Sequence, residues 1–179
     1  MPLCYNFCIR YYIYKPVAVT LPRFPLRINV GFLVHQPIGT SRDFDFDYPA
    51  VQFSPDFSLT DFSGMAHISR TPQGLLVEAN FSGKLLQECV RCLTEYQQPL
   101  STSYAELFTF RYRRNVETEL YIPEDGQLDL TLLSRDYLLL EQPIKPICKP
   151  DCKGLCPYCG ANLNETVCEH QLQGQTVEE

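Results

Sequence analysis

The chain has 179 residues, a formal net charge of −6 and 45% hydrophobic residues, the size and composition of one globular domain with at most a small appendage. No apolar run reaches the length that a membrane span requires. The negative net charge excludes a surface that is basic throughout, so any contact with nucleic acid must be made by a local basic patch.

Residues 1–25 are rich in aromatic residues and proline, and their apolar positions follow no clear period. We interpret them as an N-terminal extension in which Cys4 and Cys8 are two unpaired thiols. Arg10 and Lys15 interrupt the apolar stretch, which is not typical of a signal peptide. A cytoplasmic location is therefore expected, and in that reducing compartment cysteines favour metal binding over disulfides.

The chain from residue 26 onward has the alternating pattern of β-strands. Apolar residues alternate over 26–32, and aromatic residues alternate with aspartates over 42–49. Alternation over 62–68 and 75–85, around the turn sequence TPQG, predicts a hairpin. Large apolar residues then predict another long strand over 100–112. The sequence CVRC, residues 89–92, lies at the tip between the last two strands.

A polar, acidic stretch over 114–128 predicts a loop, and a helix is predicted after it. Apolar residues recur at i, i+3, i+7 and i+8 at Leu130, Leu133, Tyr137 and Leu138, and Pro143 ends the pattern. An antiparallel sheet, followed by a C-terminal helix and a cysteine-rich tail, is an α+β fold. The predicted parts are the extension 1–25, a core domain 26–147 and a tail 148–179.

The cysteines outside the extension form short-spaced pairs that are typical of metal ligands. The pairs are Cys89 with Cys92, Cys148 with Cys152, Cys156 with Cys159, and Cys168 with His170. Zn²⁺ takes four sulfur or nitrogen ligands in a tetrahedron, so eight ligands predict two zinc ions. In CPYCG, the glycine lets backbone N–H groups approach sulfur without a side-chain clash.

Two combinations of these pairs are open. In the favoured one, the pairs beginning at Cys156 and Cys168 share one ion, because closing the short loop between them costs little conformational entropy. The pairs beginning at Cys89 and Cys148 then share the other and pin the helix end to the sheet tip. In the rival one, the four cysteines over 148–159 form one site and CVRC has no partner pair.

Redox chemistry and zinc catalysis are both disfavoured. A C-x-x-C pair indicates a thioredoxin-like motif only where it opens a helix in a βαβ unit, and neither pair here does so. Catalytic zinc keeps an open position, whereas a shell of thiolates satisfies the metal. We expect no enzymatic activity and no small-molecule substrate; the alternative is a zinc-dependent nuclease or another metalloenzyme acting on RNA.

Two groups of basic residues are candidates for contact with RNA. One is Arg111, Arg113 and Arg114, with Tyr112 between them, and the other is Lys145, Lys149 and Lys153. A basic run with an interleaved aromatic residue can hold an RNA backbone and stack a base. The alternative, to which we give equal weight, is that these side chains contact only solvent. The link to ribosomal RNA would then be made through a protein partner.

Several segments resemble one family. CVRCL after a hairpin, DLTLLSRDYLLLEQP, and above all CKGLCPYCGANLNE are similar to the YceD-like family of large ribosomal RNA subunit accumulation proteins, as is INVGFLVHQPIGTSRDFDFD. The resemblance covers about residues 26–170. It implies a cytoplasmic, non-enzymatic factor that supports accumulation or processing of large-subunit ribosomal RNA and ribosome assembly. The implied partner is the ribosomal RNA precursor, or a ribosomal or assembly protein.

Overall fold

The structure is a computed structural model that describes residues 25–110 and 120–170. Its centre is a four-stranded antiparallel sheet in the order β2-β3-β4-β5. The strands are β2 (Ser41–Ser54), β3 (Phe57–Arg70), β4 (Gly74–Glu88) and β5 (Glu95–Thr109). Strands β1 (Arg27–Asn29) and β6 (Gln127–Asp129) form a second, two-stranded sheet, and the helices are α1 (Gly31–Val34) and α2 (Thr131–Leu140). The α+β prediction therefore holds in a coarser form, as a fold dominated by antiparallel sheet with a small helix.

The predicted hairpin is confirmed by the pairing of β3 with β4. Ile68 lies opposite Val77, and Gly64 lies opposite Phe81. At the turn, the backbone N–H of Thr71 donates to the carbonyl of Gly74 at 2.9 Å. The next connection, between β4 and β5, contains CVRC, so the cysteine pair lies at the tip of the sheet as predicted.

One face of the sheet is apolar and helix α2 lies against part of it. The alternation in each strand places aromatic side chains such as Phe46, Phe62 and Phe81 in the core. Helix α2 buries Leu138 and Ser134, and the Ser134 hydroxyl is hydrogen-bonded to the hydroxyl of Tyr104 at 2.9 Å. The rings of Tyr104 and Tyr137 stack with centroids 4.6 Å apart. The helix end, and hence the start of the tail, is thereby fixed relative to β5.

The opposite, open face of the sheet is polar and acidic. The alternating aspartates of β2 lie on it, with Asp43 opposite His67 and His67 opposite Glu78 across three strands. Lys84 of β4 forms an ion pair with Asp61 at 2.9 Å. Among the described helices, none combines the length and apolar character needed to span a bilayer.

The predicted strand over 26–32 is wrong in its second half. Strand β1 ends at Asn29, whose side-chain oxygen accepts a hydrogen bond from the backbone N–H of Gly31 at 3.0 Å and starts a turn into α1. Phe32, expected on the buried side, is 49% exposed. The predicted loop 114–128 overlaps β6, where Leu128 pairs with Ile28 of β1.

Candidate metal centres

Four cysteines from the sheet tip and from the segment after α2 meet in what we call the first cluster: Cys89, Cys92, Cys148 and Cys152. The β4–β5 connection supplies the first pair, and the chain that follows α2 supplies the second. The backbone N–H of Val90 donates to the carbonyl of Pro146 at 3.0 Å, which brings the two segments together. Tyr96, Ile147 and Leu155 pack around the sulfur atoms.

The sulfur positions of the first cluster fit a tetrahedral metal ion. The Sγ atoms of Cys89 and Cys152 are 3.8 Å apart, and those of Cys92 and Cys148 are 3.6 Å apart. A tetrahedron of sulfurs with Zn–S bonds of about 2.3 Å has edges of about 3.8 Å. A disulfide needs about 2.05 Å, so these distances match shared coordination of one ion and not a covalent bond.

The second cluster consists of Cys156, Cys159, Cys168 and His170, whose ligand atoms lie within 4.8 Å of one another. Cys156 is buried and Cys159 is exposed. The His170 ring stacks on the ring of Tyr158, with centroids 5.4 Å apart. Both groupings are the favoured combination from the sequence, and the rival grouping of the cysteines over 148–159 is not the one formed. Metal ligation itself stays a prediction.

Hydrogen bonds from backbone N–H groups lower the pKa of one thiol in each cluster and so favour the thiolate that binds a cation. Burial opposes ionisation of Cys89, but the backbone N–H groups of Cys148 and Arg91 donate to its sulfur, and its pKa falls to about 6. In the same way the backbone N–H groups of Cys159 and of the residue before it lower the pKa of Cys156 to about 6. Burial and the neighbouring sulfurs raise the pKa of Cys148 to about 12. Metal binding at neutral pH would therefore release the Cys148 proton, because only the thiolate is a ligand.

Several residues that hold the clusters were not predicted. The Arg91 guanidinium donates to the carbonyl of Cys152 at 2.9 Å, and the backbone N–H of Leu155 donates to the Arg91 carbonyl at 3.0 Å. Gly154 has a φ of +78°, and a Cβ there would lie 3.1 Å from that carbonyl, so glycine permits the close approach. Asn164 donates to the sulfur of Cys152. The Asn-x-Asn spacing in ANLN is a turn signal that could have drawn attention to it.

The structure locates only part of the predicted RNA-binding set. Arg111, Arg113 and Arg114 lie outside the described residues. Lys145, Lys149 and Lys153 are exposed, on the segment that carries half of the first cluster. Arg91 is exposed on the opposite half of the cluster, so basic side chains come from both sides of it.

The fold and the two clusters define a class: a sheet-dominated protein in which two sets of four cysteine or histidine side chains could each hold a metal ion. The family model described as Large ribosomal RNA subunit accumulation protein YceD matches residues 77–177. This range is more than half of the chain and contains both clusters. The chain belongs to the YceD family.

Proteins similar to this chain occur in bacteria and plants. Uncharacterized protein Rv2926c of Mycobacterium tuberculosis is 28% identical over 153 residues, which cover 83% of this chain and 72% of that protein. Uncharacterized protein YlbN of Bacillus subtilis is 33% identical over 81 residues, covering 44% of this chain and 47% of its own length. Large ribosomal RNA subunit accumulation protein YCED homolog 1, chloroplastic, of Zea mays is 43% identical over 51 residues, covering 28% of this chain and 17% of its own length. No solved structure matches the chain significantly.

Proposed function

We propose that this protein is a non-enzymatic, cytoplasmic factor that supports accumulation of large-subunit ribosomal RNA by binding the precursor RNA. In this proposal one zinc ion, bound by the first cluster, holds the tail against the sheet tip, and a second, bound by the second cluster, closes a loop within the tail. The observation that carries it is the first cluster, where four cysteines from two segments meet. Exposed basic side chains surround this cluster. The family membership supports the link to ribosomal RNA, while the contact itself is our proposal.

Zinc is the metal that the two ligand sets fit. Sulfur and imidazole ligands in tetrahedral arrangement favour zinc over the oxygen-preferring Mg²⁺ and Ca²⁺. With four protein ligands in each cluster, neither ion would keep the open position that a zinc-bound water needs. This supports a structural role for the metal and argues against the nuclease alternative.

The distribution of charge favours the tail side of the molecule for contact with RNA. Binding of two zinc ions by seven thiolates and one histidine lowers the net charge to about −9, so phosphate groups need a locally basic surface. The open face of the sheet carries Asp43, Asp45 and Asp47 and would repel phosphate. Within the described ranges, Lys145 and Lys153 form no ion pair, and Lys149 is 3.9 Å from Asp151. Lys145 and Lys153 can therefore bind phosphate without losing an ion-pair partner, whereas Lys149 would exchange a long contact with Asp151 for one with phosphate.

The proposal is tested by binding of a labelled large-subunit ribosomal RNA precursor at several salt concentrations. We expect the RNA to be bound and to remain uncleaved. The triple variant Lys145→Ala, Lys149→Ala, Lys153→Ala should bind more weakly, and the log–log salt slope should become shallower by about 2, since each lost phosphate contact on single-stranded RNA removes about 0.7. Lys84→Ala, on the open face, is the control and should bind like the wild type.

Three results would contradict this proposal. Equal binding by the triple variant would remove the lysines from the interface; a variant of Arg111, Arg113 and Arg114 would then test the other basic group. Recovery of ribosomal or assembly proteins without RNA, after nuclease treatment, would move the function to protein docking. Metal-dependent cleavage that Cys→Ser changes abolish would establish the nuclease alternative.

A further inference from the structure

We propose that Asn164 is a positioning residue for the first cluster, and that through it metal binding at the second cluster strengthens metal binding at the first. This inference rests on the proposed zinc binding. Asn164 lies between Cys159 and Cys168, in the loop that joins the two ligand pairs of the second cluster. Its side-chain amide nevertheless donates to the Sγ of Cys152, in the first cluster, at 3.4 Å.

The orientation of the Asn164 amide is fixed by its other contacts. Its Oδ1 accepts a hydrogen bond from the backbone N–H of Lys153 at 2.9 Å, so its Nδ2 is the atom that faces the sulfur. Nδ2 also donates to Oδ1 of Asn162 at 2.9 Å. Asn162 in turn donates to the hydroxyl of Thr94, beside the sheet tip, at 3.4 Å. These hydrogen bonds link the Asn164 amide both to the segment around Cys152 and, through Asn162, to Thr94 at the sheet tip.

The loop that carries Asn164 is fastened to the backbone between the two clusters. The backbone N–H of Leu163 donates to the carbonyl of Gly154 at 2.9 Å, and that of Cys156 donates to the carbonyl of Ala161 at 2.9 Å. The two ends of the loop meet in the second cluster, where Cys159 and Cys168 converge. A metal ion bound by these two residues would close the loop and hold Asn164 against Cys152.

An N–H donated to a metal-bound sulfur has two effects on the site. It orients the ligand, and it stabilises the negative charge that the thiolate keeps after binding a divalent cation. Loss of such partners around metal ligands typically costs about 10- to 100-fold in metal affinity. Because a metal ion in the second cluster would close the loop that carries Asn164, the two sites should bind metal with positive coupling.

The test is a double-mutant cycle on the full-length chain. One variant is Asn164→Ala, the second is Cys156→Ser with Cys159→Ser, and the third combines them. Zinc affinity of the first site is measured by competition with a chelator. Cobalt spectra distinguish its four-sulfur set from the mixed sulfur and nitrogen set of the second site. Asn80→Ala removes the same side chain from the open face of the sheet and is the matched control.

Asn164→Ala should lower first-site affinity by about 10- to 100-fold, and Asn80→Ala should leave it unchanged. Removing the second site should lower it to a similar extent, and the combined variant should lose little more than either one. Asn164→Asp keeps the size of the side chain and places a carboxylate oxygen against the thiolate, so it should lose at least as much as the alanine variant. Unchanged affinity in Asn164→Ala, or fully additive losses, would overturn the inference while zinc binding by the wild type stands. A wild type that binds no zinc would overturn both proposals.

Discussion

Replacing Cys152 by serine is expected to release one of two zinc ions and to free the tail from the sheet tip. Cys152 is 3% exposed, and its sulfur lies between Cys89 of the sheet and Asn164 of the tail. Binding of a structural zinc ion contributes about 10–16 kcal/mol in zinc-finger peptides. The few hydrogen bonds that also join the tail to the tip, such as Leu155 to Arg91, contribute about 1 kcal/mol each and would not replace it.

The measurement is zinc content by elemental analysis, together with hydrogen exchange over residues 141–170. The variant should hold one zinc ion and exchange much faster in this range, while the strands of the sheet stay protected. Cys8→Ser, at a cysteine that is not among the eight predicted ligands, is the control and should keep both ions. A Cys152→Ser protein with two zinc ions and unchanged exchange would contradict the assignment of the first cluster.

Replacing Phe81 by alanine is expected to lower the free energy of unfolding by about 3–5 kcal/mol. Phe81 is 2% exposed, and its ring contacts those of Phe46, Phe62 and Tyr104, with centroids 5.6, 5.4 and 6.2 Å away. These rings come from three other strands, so the cavity would open where the sheet is held together. A loss of this size is a large share of the about 5–15 kcal/mol that stabilises a typical domain.

Denaturant unfolding with excess zinc measures this loss separately from metal binding. Phe32→Ala is the matched control, because Phe32 is 49% exposed and its removal should change stability by no more than about 0.5 kcal/mol. Equal midpoints for the Phe81 and Phe32 variants would show that Phe81 does not lie at the centre of the core.

The regular strands could be predicted from the sequence because each buries one face. In β2, Phe44, Phe46 and Tyr48 alternate with aspartates, so the aromatic side chains had to face the core. The TPQG turn set the register of β3 with β4. The short elements could not be predicted in this way. Strand β6 has three residues, too few for a period, and it exists because β1 pairs with it from a distance of about a hundred positions.

The candidate ligands were recognisable from spacing alone, since the two residues of each ligand pair lie close together in the sequence. The grouping of the pairs was partly predictable, because only the second cluster closes within a short loop. The environment of the sulfurs was not predictable. The side chains of Arg91 and Asn164 contact Cys152, and Gly154 lies against the Arg91 carbonyl. These contacts exist only in the folded chain, and single residues in a loop carry no periodic signal.

The zinc content of the purified, reduced wild-type protein tests the central claim most directly. Elemental analysis combined with native mass spectrometry should give two zinc ions per chain. A single ion would favour one site formed by the cysteines over 148–159 and would contradict the two clusters. A protein that contains no zinc, or iron in its place, would contradict the proposed metal centres altogether.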